Sequence, residues 1–237
     1  EVNKMKKVLL TDAGRKLADF AERFGDGVDA LAAELRKEET LPEGPVRYAM
    51  PESCLMTPHF PMLLARRKKH FPGLRLEVTV TTFEEICRAV LEHRVDFGFI
   101  TRPARLPGLK LTPYCREEIV LASADPRHLA FSSVRELAQV PFLDHDGAEI
   151  LFAHWKRHYF PGNRTLHWHD LPRAGGMNRL PGVIRMLEAG VGATVLSRHC
   201  IAREIASGKI RVYREGVVNQ IYLAWLKDSH LPRRVSL

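Results

Sequence analysis

The sequence is short of several things, and each shortage narrows its function. Among 237 residues there are four cysteines, Cys54, Cys87, Cys115 and Cys200, widely scattered and with no C-x-x-C pair. That scatter excludes a disulfide-rich scaffold and fits reduced, mostly buried thiols in a cytosolic protein. No apolar run is long enough to span a bilayer, and no charged-then-apolar leader opens the chain, so secretion is not indicated. The first residue is Glu1 rather than Met, which marks a processed chain or a fragment. The short signatures of catalysis are missing as well: there is no G-x-S-x-G elbow, no Walker loop and no H-E-x-x-H. The expectation is a protein that is not an enzyme and needs no cofactor.

What is present is an ordinary globular composition, 45% hydrophobic and 27% charged, with a formal net charge of +8. The length suits one large domain or two small ones. The positive balance favours a polyanionic partner, nucleic acid first. The run Arg66-Arg67-Lys68-Lys69 is assigned to a solvated helix face, since Leu63, Leu64 and Phe71 of the same segment are expected to face the core.

Residues 11–38 read as one helix. Thr11 is a good N-cap, and helix formers follow it. Leu10, Leu17, Phe24 and Leu31 recur every seven residues, as do Ala21, Val28 and Leu35, which makes an a/d seam fit for pairing with another helix. Gly25 and Gly27 interrupt it at a cost of about 1 kcal/mol each. Residues 39–45, with two prolines and a glycine, read as a linker.

After it the pattern becomes strand, helix, strand. Strands are expected at Val46–Met50, Leu74–Val80, Val95–Ile100, Glu118–Ser123, Pro141–Asp144, Thr165–His169, Ala193–Leu196, Ile210–Tyr213 and Gln220–Leu226. Helices lie between them. Ser53 is expected to cap one running to about Phe71, Thr82 opens another, Ser132 or Ser133 a third, and further helices cover Ile150–Phe160, Asn178–Ala189 and Arg198–Ala206. Such alternation with short loops implies an α/β architecture, with a mixed, mainly parallel sheet in each of two lobes of about 100 residues.

Several of these stretches resemble the LysR-type transcriptional regulators. "LEAGVGATVLSRHCIAREIASGKI" is similar to the end of that family's effector domain, "RRKKHFPGLRLEVTV" to its helix–PG–strand element, and "LEHRVDFGFITRP" to a strand preceded by aspartate. "YLAWLKDSHLPRRV" resembles its return strand, and "VLLTDAGRKLADFAERF" the junction between a winged helix-turn-helix and the linker helix. The resemblance covers nearly the whole chain in order. It implies a type 2 periplasmic-binding-protein-like fold, with residues 46–117 and 218–237 in lobe I, 118–217 in lobe II and residues 1–10 as a remnant of the wing. The chain would cross between lobes near Leu111–Glu118 and Val217–Gln220. It further implies a cytoplasmic regulator that binds DNA through a domain preceding Glu1, has RNA polymerase as a further partner, and forms homodimers or homotetramers.

Parallel sheets bind ligands at the carboxyl ends of their strands, and helix N-termini offer free N–H groups. These rules select Ser53, Thr101, Arg102, His145, Asn178 and Arg179 as candidates for a small effector between the lobes. Ser53 matches the position where the family offers a hydroxyl. Phe83 stands where several family members carry a small polar residue, which allows an aromatic or bulkier effector. Arg102, Arg179 and Arg173 favour an anionic ligand, while Glu52, Asp144 and Asp146 weigh against one.

Two other readings compete. His154 and His158 lie a helical turn apart, and His167 and His169 share one face of an expected strand, so the four could hold Zn²⁺; with no matching carboxylate or cysteine pattern, surface or packing histidines are favoured. A solute-binding protein of a transport system would share the two-lobed fold, but the heptad-bearing first helix argues against it.

Overall fold

The computed structural model describes residues 11–40, 43–229, 231 and 233–235. The expected wing strand near Val2–Leu10 lies outside them. The Thr11 hydroxyl accepts a hydrogen bond from the Gly14 amide at 3.1 Å and opens α1 (Asp12–Thr40), which runs unbroken through Gly25 and Gly27. The helix therefore runs two residues into the expected linker, and β1 (Gly44–Met50) starts before its end. The seam residues Leu17, Phe24, Val28 and Leu31 are exposed.

Lobe I is built on β1, β2 (Leu74–Val80) and β3 (Phe97–Ile100), all parallel. One face carries α3 (Phe83–Leu91), opened by the Thr82 hydroxyl accepting from the Glu85 amide. Ile86, Cys87, Ala89 and Val90 pack there against Ala49 and Ile100. The opposite face buries Val46, Tyr48 and Met50, with Phe60 and Phe71 from the segment of α2 (His59–His70) partly covering them. Strand β3 begins later than expected because the chain is still turning: the amides of Arg94 and Val95 both donate to the Ala89 carbonyl.

Two long strands, β4 (Leu109–Ser123) and β9 (Val217–Leu226), form the crossing between lobes. They pair antiparallel from Leu109↔Leu226 to Ile119↔Val217, with a bulge between Pro113 and Cys115. The Gln220 amide fills the bulge, donating to the Cys115 and Ile221 carbonyls. Both crossovers are thus strand rather than loop, and they join seven strands into one sheet of order β2-β1-β3-β9-β4-β7, with β8 (Arg211–Val212) also on β4.

In lobe II, β4 continues beside β7 (Thr194–Ser197). A parallel pair, β5 (Phe142–Asp144) and β6 (Arg173–Gly176), joins through a bridge between Phe142 and Ala193. Successive β4 residues point to opposite faces. Ile119 and Leu121 meet the cluster of α5 (Ala148–Tyr159), whereas Val120 and Ala122 meet that of α6 (Leu180–Glu188). The remaining helices are α4 (Val134–Leu137), where Ser133 and Glu136 form a capping box, and α7 (Ala202–Ala206). Gly192 permits a close approach: a Cβ there would stand 2.8 Å from the Pro141 carbonyl oxygen.

Several expectations need correction. Ser53 caps no helix. The helix is delayed until after Pro58, so Ser53 sits inside a 3-10 turn, Glu52–Met56, and α2 begins at His59 with Pro61 in its first turn. Helix α2 buries no residue; Phe71 packs inward, but Leu63 and Leu64 are exposed. Thr165–His169 is not a strand. Leu166 and Trp168 are buried, and His167 and His169 exposed, a strand-like alternation. Yet the Asp170 carboxylate accepts from the His167 amide and closes a 3-10 turn over Trp168–Asp170. The actual strand, β6, ends in Gly175-Gly176, which reads as a breaker. There the bare backbone lies against β5; a Cβ on Gly176 would stand 2.9 Å from the Asp144 carbonyl oxygen.

Candidate functional site

The two lobes face each other across a cleft of about 690 Å³. The chain ends that border it follow from the topology: the carboxyl ends of β1, β2 and β3 in lobe I, and those of β5 and β6 in lobe II. Ser53, Phe83, Thr101, Arg102, His145, Asn178 and Arg179 all border this one cleft. Arg173 does not; its guanidinium lies over the Trp168 ring at 4.2 Å.

The candidates differ in what they have left to offer. The His145 ring is held by lobe II, with Nδ1 2.9 Å from the Asp146 carbonyl oxygen and Nε2 3.0 Å from that of Val195. Arg102 lies 3.9 Å over the Phe83 ring and donates to the Glu84 carboxylate at 2.7 Å. Arg179 stands 3.4 Å from Glu52 Oε1. Asn178 is exposed, and its side-chain amide has no hydrogen-bond partner among the described residues. The Ser53 carbonyl, rather than its hydroxyl, makes the contact between lobes: it faces His199 Nε2 at 3.0 Å and the Cys200 thiol at 4.0 Å.

The floor is a polar network that sequence reasoning missed. Glu117 on β4, its side chain only 7% exposed, accepts from the Ser197 hydroxyl at 2.7 Å and the Asn219 amide at 2.8 Å. The same Asn219 amide donates to the Thr101 carbonyl at 3.2 Å. His199 Nδ1 stands 4.0 Å from Glu117. β3, β4, β7 and β9 are therefore tied at one point. Nothing in the sequence near Glu117 marks it, because its partners lie 80 and 102 residues away. Thr81 and Thr82 at the end of β2 also border the cleft; the strand-end rule, applied to β2, would have found them.

Glu52 reaches from lobe I to lobe II. Helix α6 has no side-chain cap of its own, and Glu52 Oε2 accepts the Leu180 amide at 2.5 Å across the cleft. A carboxylate at a helix N-terminus satisfies an orphan donor and complements the dipole. Met56, in the same turn, packs into the α6 cluster.

Electrostatics divides the walls. The Asp146 carboxyl is raised above the usual aspartate range, first by crowding from the walls and then by neighbouring Glu84. Burial, with Glu117 nearby, pushes the Cys54 thiol up to about 12 and raises Cys200 as well. Thiols so placed stay protonated and unreactive. Among the described residues no three His, Cys, Asp or Glu side chains gather closely enough to hold a metal ion. His167 and His169 stack face to face, 5.5 Å apart, on the 3-10 turn.

The family description "LysR substrate binding domain" matches residues 39–237. The chain belongs to the LysR substrate-binding domain family. The HTH-type transcriptional regulator GltR of Bacillus subtilis (strain 168) is 25% identical over 206 residues, 86% of this chain and 66% of GltR. The chain spans about half to two thirds of the length of the first curated relatives it matches. The regulatory domain of Synechocystis PCC6803 CcmR, solved in complex with 2-PG, superposes with a TM-score of 0.67 at 19% identity, covering 82% of this chain and 93% of that one. Full-length LysG from Corynebacterium glutamicum, with bound effector Arg, also gives 0.67, at 16% identity, over 95% of this chain and 76% of its own. Such low identities speak for the fold alone. Membership of the LysR family sets the regulatory reading above the transport alternative. The family is regulatory rather than enzymatic, and no helix among the described residues is long and apolar enough to cross a membrane.

Proposed function

We propose that this chain is the effector-sensing part of a cytoplasmic LysR-type transcriptional regulator, which binds a small molecule between its lobes. The observation that carries the reading is the cleft itself. Thr101 and Ser53 from lobe I face Asn178 and His145 from lobe II, over a floor where Glu117 and Asn219 tie the lobes together. A ligand held by both walls favours one lobe arrangement, and that bias is what a DNA-binding domain elsewhere in the protein would read. The ligands named for CcmR and LysG, 2-PG and Arg, fit a shared scaffold whose specificity is set by its lining.

In this reading DNA is contacted by residues outside the chain, RNA polymerase is a further partner, and the exposed α1 seam pairs with a second copy in a dimer or tetramer. The test is a thermal-shift screen of small molecules on the purified chain, followed by calorimetry. Thr101→Val and Asn178→Ala should each weaken a hit severalfold, since each removes one hydrogen bond. A hit bound equally well by both variants overturns the assignment of the cleft.

A further inference from the structure

We infer that the cleft is built for a small organic cation, an amine or guanidine with no net negative charge. This deepens the effector reading and rests on it. It also reverses the sign that the arginines alone suggested. Five carboxylates border the cleft, Glu52, Glu84, Glu117, Asp144 and Asp146, against two arginines and His145.

Both arginines of the cleft and the α6 N-terminus, three positions that could hold an anion, are already taken by carboxylates of the chain itself. Arg102 is paired with Glu84 at 2.7 Å. The α6 N-terminus and Arg179 both take Glu52. An anionic ligand would have to displace one of these carboxylates and then lie among the others.

The positions for a cation are open. Among the described residues Asp144 and Asp146 make no ion pair within 4.0 Å. Glu117 has only neutral donors within hydrogen-bond distance, and its nearest ionisable nitrogen is His199 Nδ1 at 4.0 Å. A carboxylate so enclosed costs free energy unless a counter-charge meets it. Apolar neighbours such as Phe99, Ile100 and Leu151 line the same cavity and strengthen the field inside it. The Asp146 carboxyl is raised first by burial and then by the nearby Glu84. The acids are also too dispersed to chelate a metal. A ligand with N–H groups spread along a short carbon frame fits that spacing, through charge-assisted hydrogen bonds.

The test is calorimetry and thermal shift on the purified chain, with probes running from ethylamine through putrescine and agmatine to spermidine, beside succinate and butane-1,4-diol. At least one amine or guanidine should bind and raise Tm, while succinate and the diol do not. Glu117→Gln keeps the shape of the side chain, and Asp146→Asn changes only the open wall; each should weaken the cation by about tenfold or more. Preferential binding of succinate, lost in Thr101→Val, would overturn the charge and leave the cleft reading standing. Cations bound equally by the parent and both variants lie elsewhere and overturn the inference, as does a panel in which no cation binds. Failure of every probe, charged or neutral, counts against the cleft reading too.

Discussion

In lobe II the strands are closed on both faces: α5 with its aromatic cluster lies on one side of β4, α6 on the other. In lobe I α3 seals one face, but α2 crosses the other without burying a residue and leaves Met62, Leu63 and Leu64 exposed. The two lobes share a strand–helix grammar but not a core. Both lobes stack aromatic rings, Tyr48 with Phe97 and Phe99 in lobe I, but in lobe II the cluster gathers around one side chain. Trp155 alone meets Phe131, Phe152, Tyr159, Phe160 and Tyr213. Lobe II is thus the wall packed on both faces, and lobe I contributes Glu52, which reaches across the cleft.

The largest expected effect breaks that contrast at its centre. Trp155→Ala removes a fully buried side chain and should cost about 3–5 kcal/mol by urea denaturation. Leu64→Ala, on the exposed face of α2, should change the stability of a single copy by less than about 0.5 kcal/mol. Similar losses from the two would mean that the lobes do not differ as described.

A middle effect sharpens the picture of lobe I reaching over. Glu52→Ala removes the carboxylate that receives the Leu180 amide. Hydrogen exchange at Leu180 should quicken, with about 1 kcal/mol of helix stability lost. Unchanged protection would show that α6 does not depend on lobe I for its cap.

The smallest effect lies wholly on the surface of lobe II. Hydrogen bonds from the Arg127 side chain hold the Asp125 carboxyl at about 2, below its ordinary 3.8. A depressed carboxyl adds stability above its unfolded value, and that stability disappears as pH falls through the folded value. In Arg127→Gln the Asp125 carboxyl should titrate closer to 3.8, read by NMR of its side-chain carbon, and the share of stability that Asp125 loses in acid should shrink. An Asp125 titration indifferent to the substitution would remove Arg127 as the cause.

Much of this was legible in the sequence, because periodicity and caps are local. Thr11, Thr82 and Ser133 open the helices they were expected to open. The strand-end and helix-start rules select six residues that border one cleft, and Phe83, singled out by the family resemblance, borders it too. What escaped depends on distance along the chain. Glu117 looks like any charged residue of a strand until Ser197 and Asn219 are brought beside it. Glu52 looks like a solvated acid until α6 is placed opposite. Leu166 and Trp168 alternate as in a strand, but one carboxylate, Asp170, bends them into a turn. The charge of the cleft is hard to read for a related reason: arginines are visible in a sequence, but which carboxylate pairs with each of them is not.

The place of β9 in the sheet also bears on how the protein is made. It lies between β3 and β4, so lobe I lacks its middle strand until Val217–Leu226 has left the ribosome. Lobe II, drawn from one continuous stretch, has its strands and helices in hand earlier and can condense first. Until then β3 carries an unpaired edge next to the apolar side chains of Phe97 and Phe99, the kind of edge to which strands of other chains add. Nascent chains stalled short of Val217 should therefore be the species that aggregates.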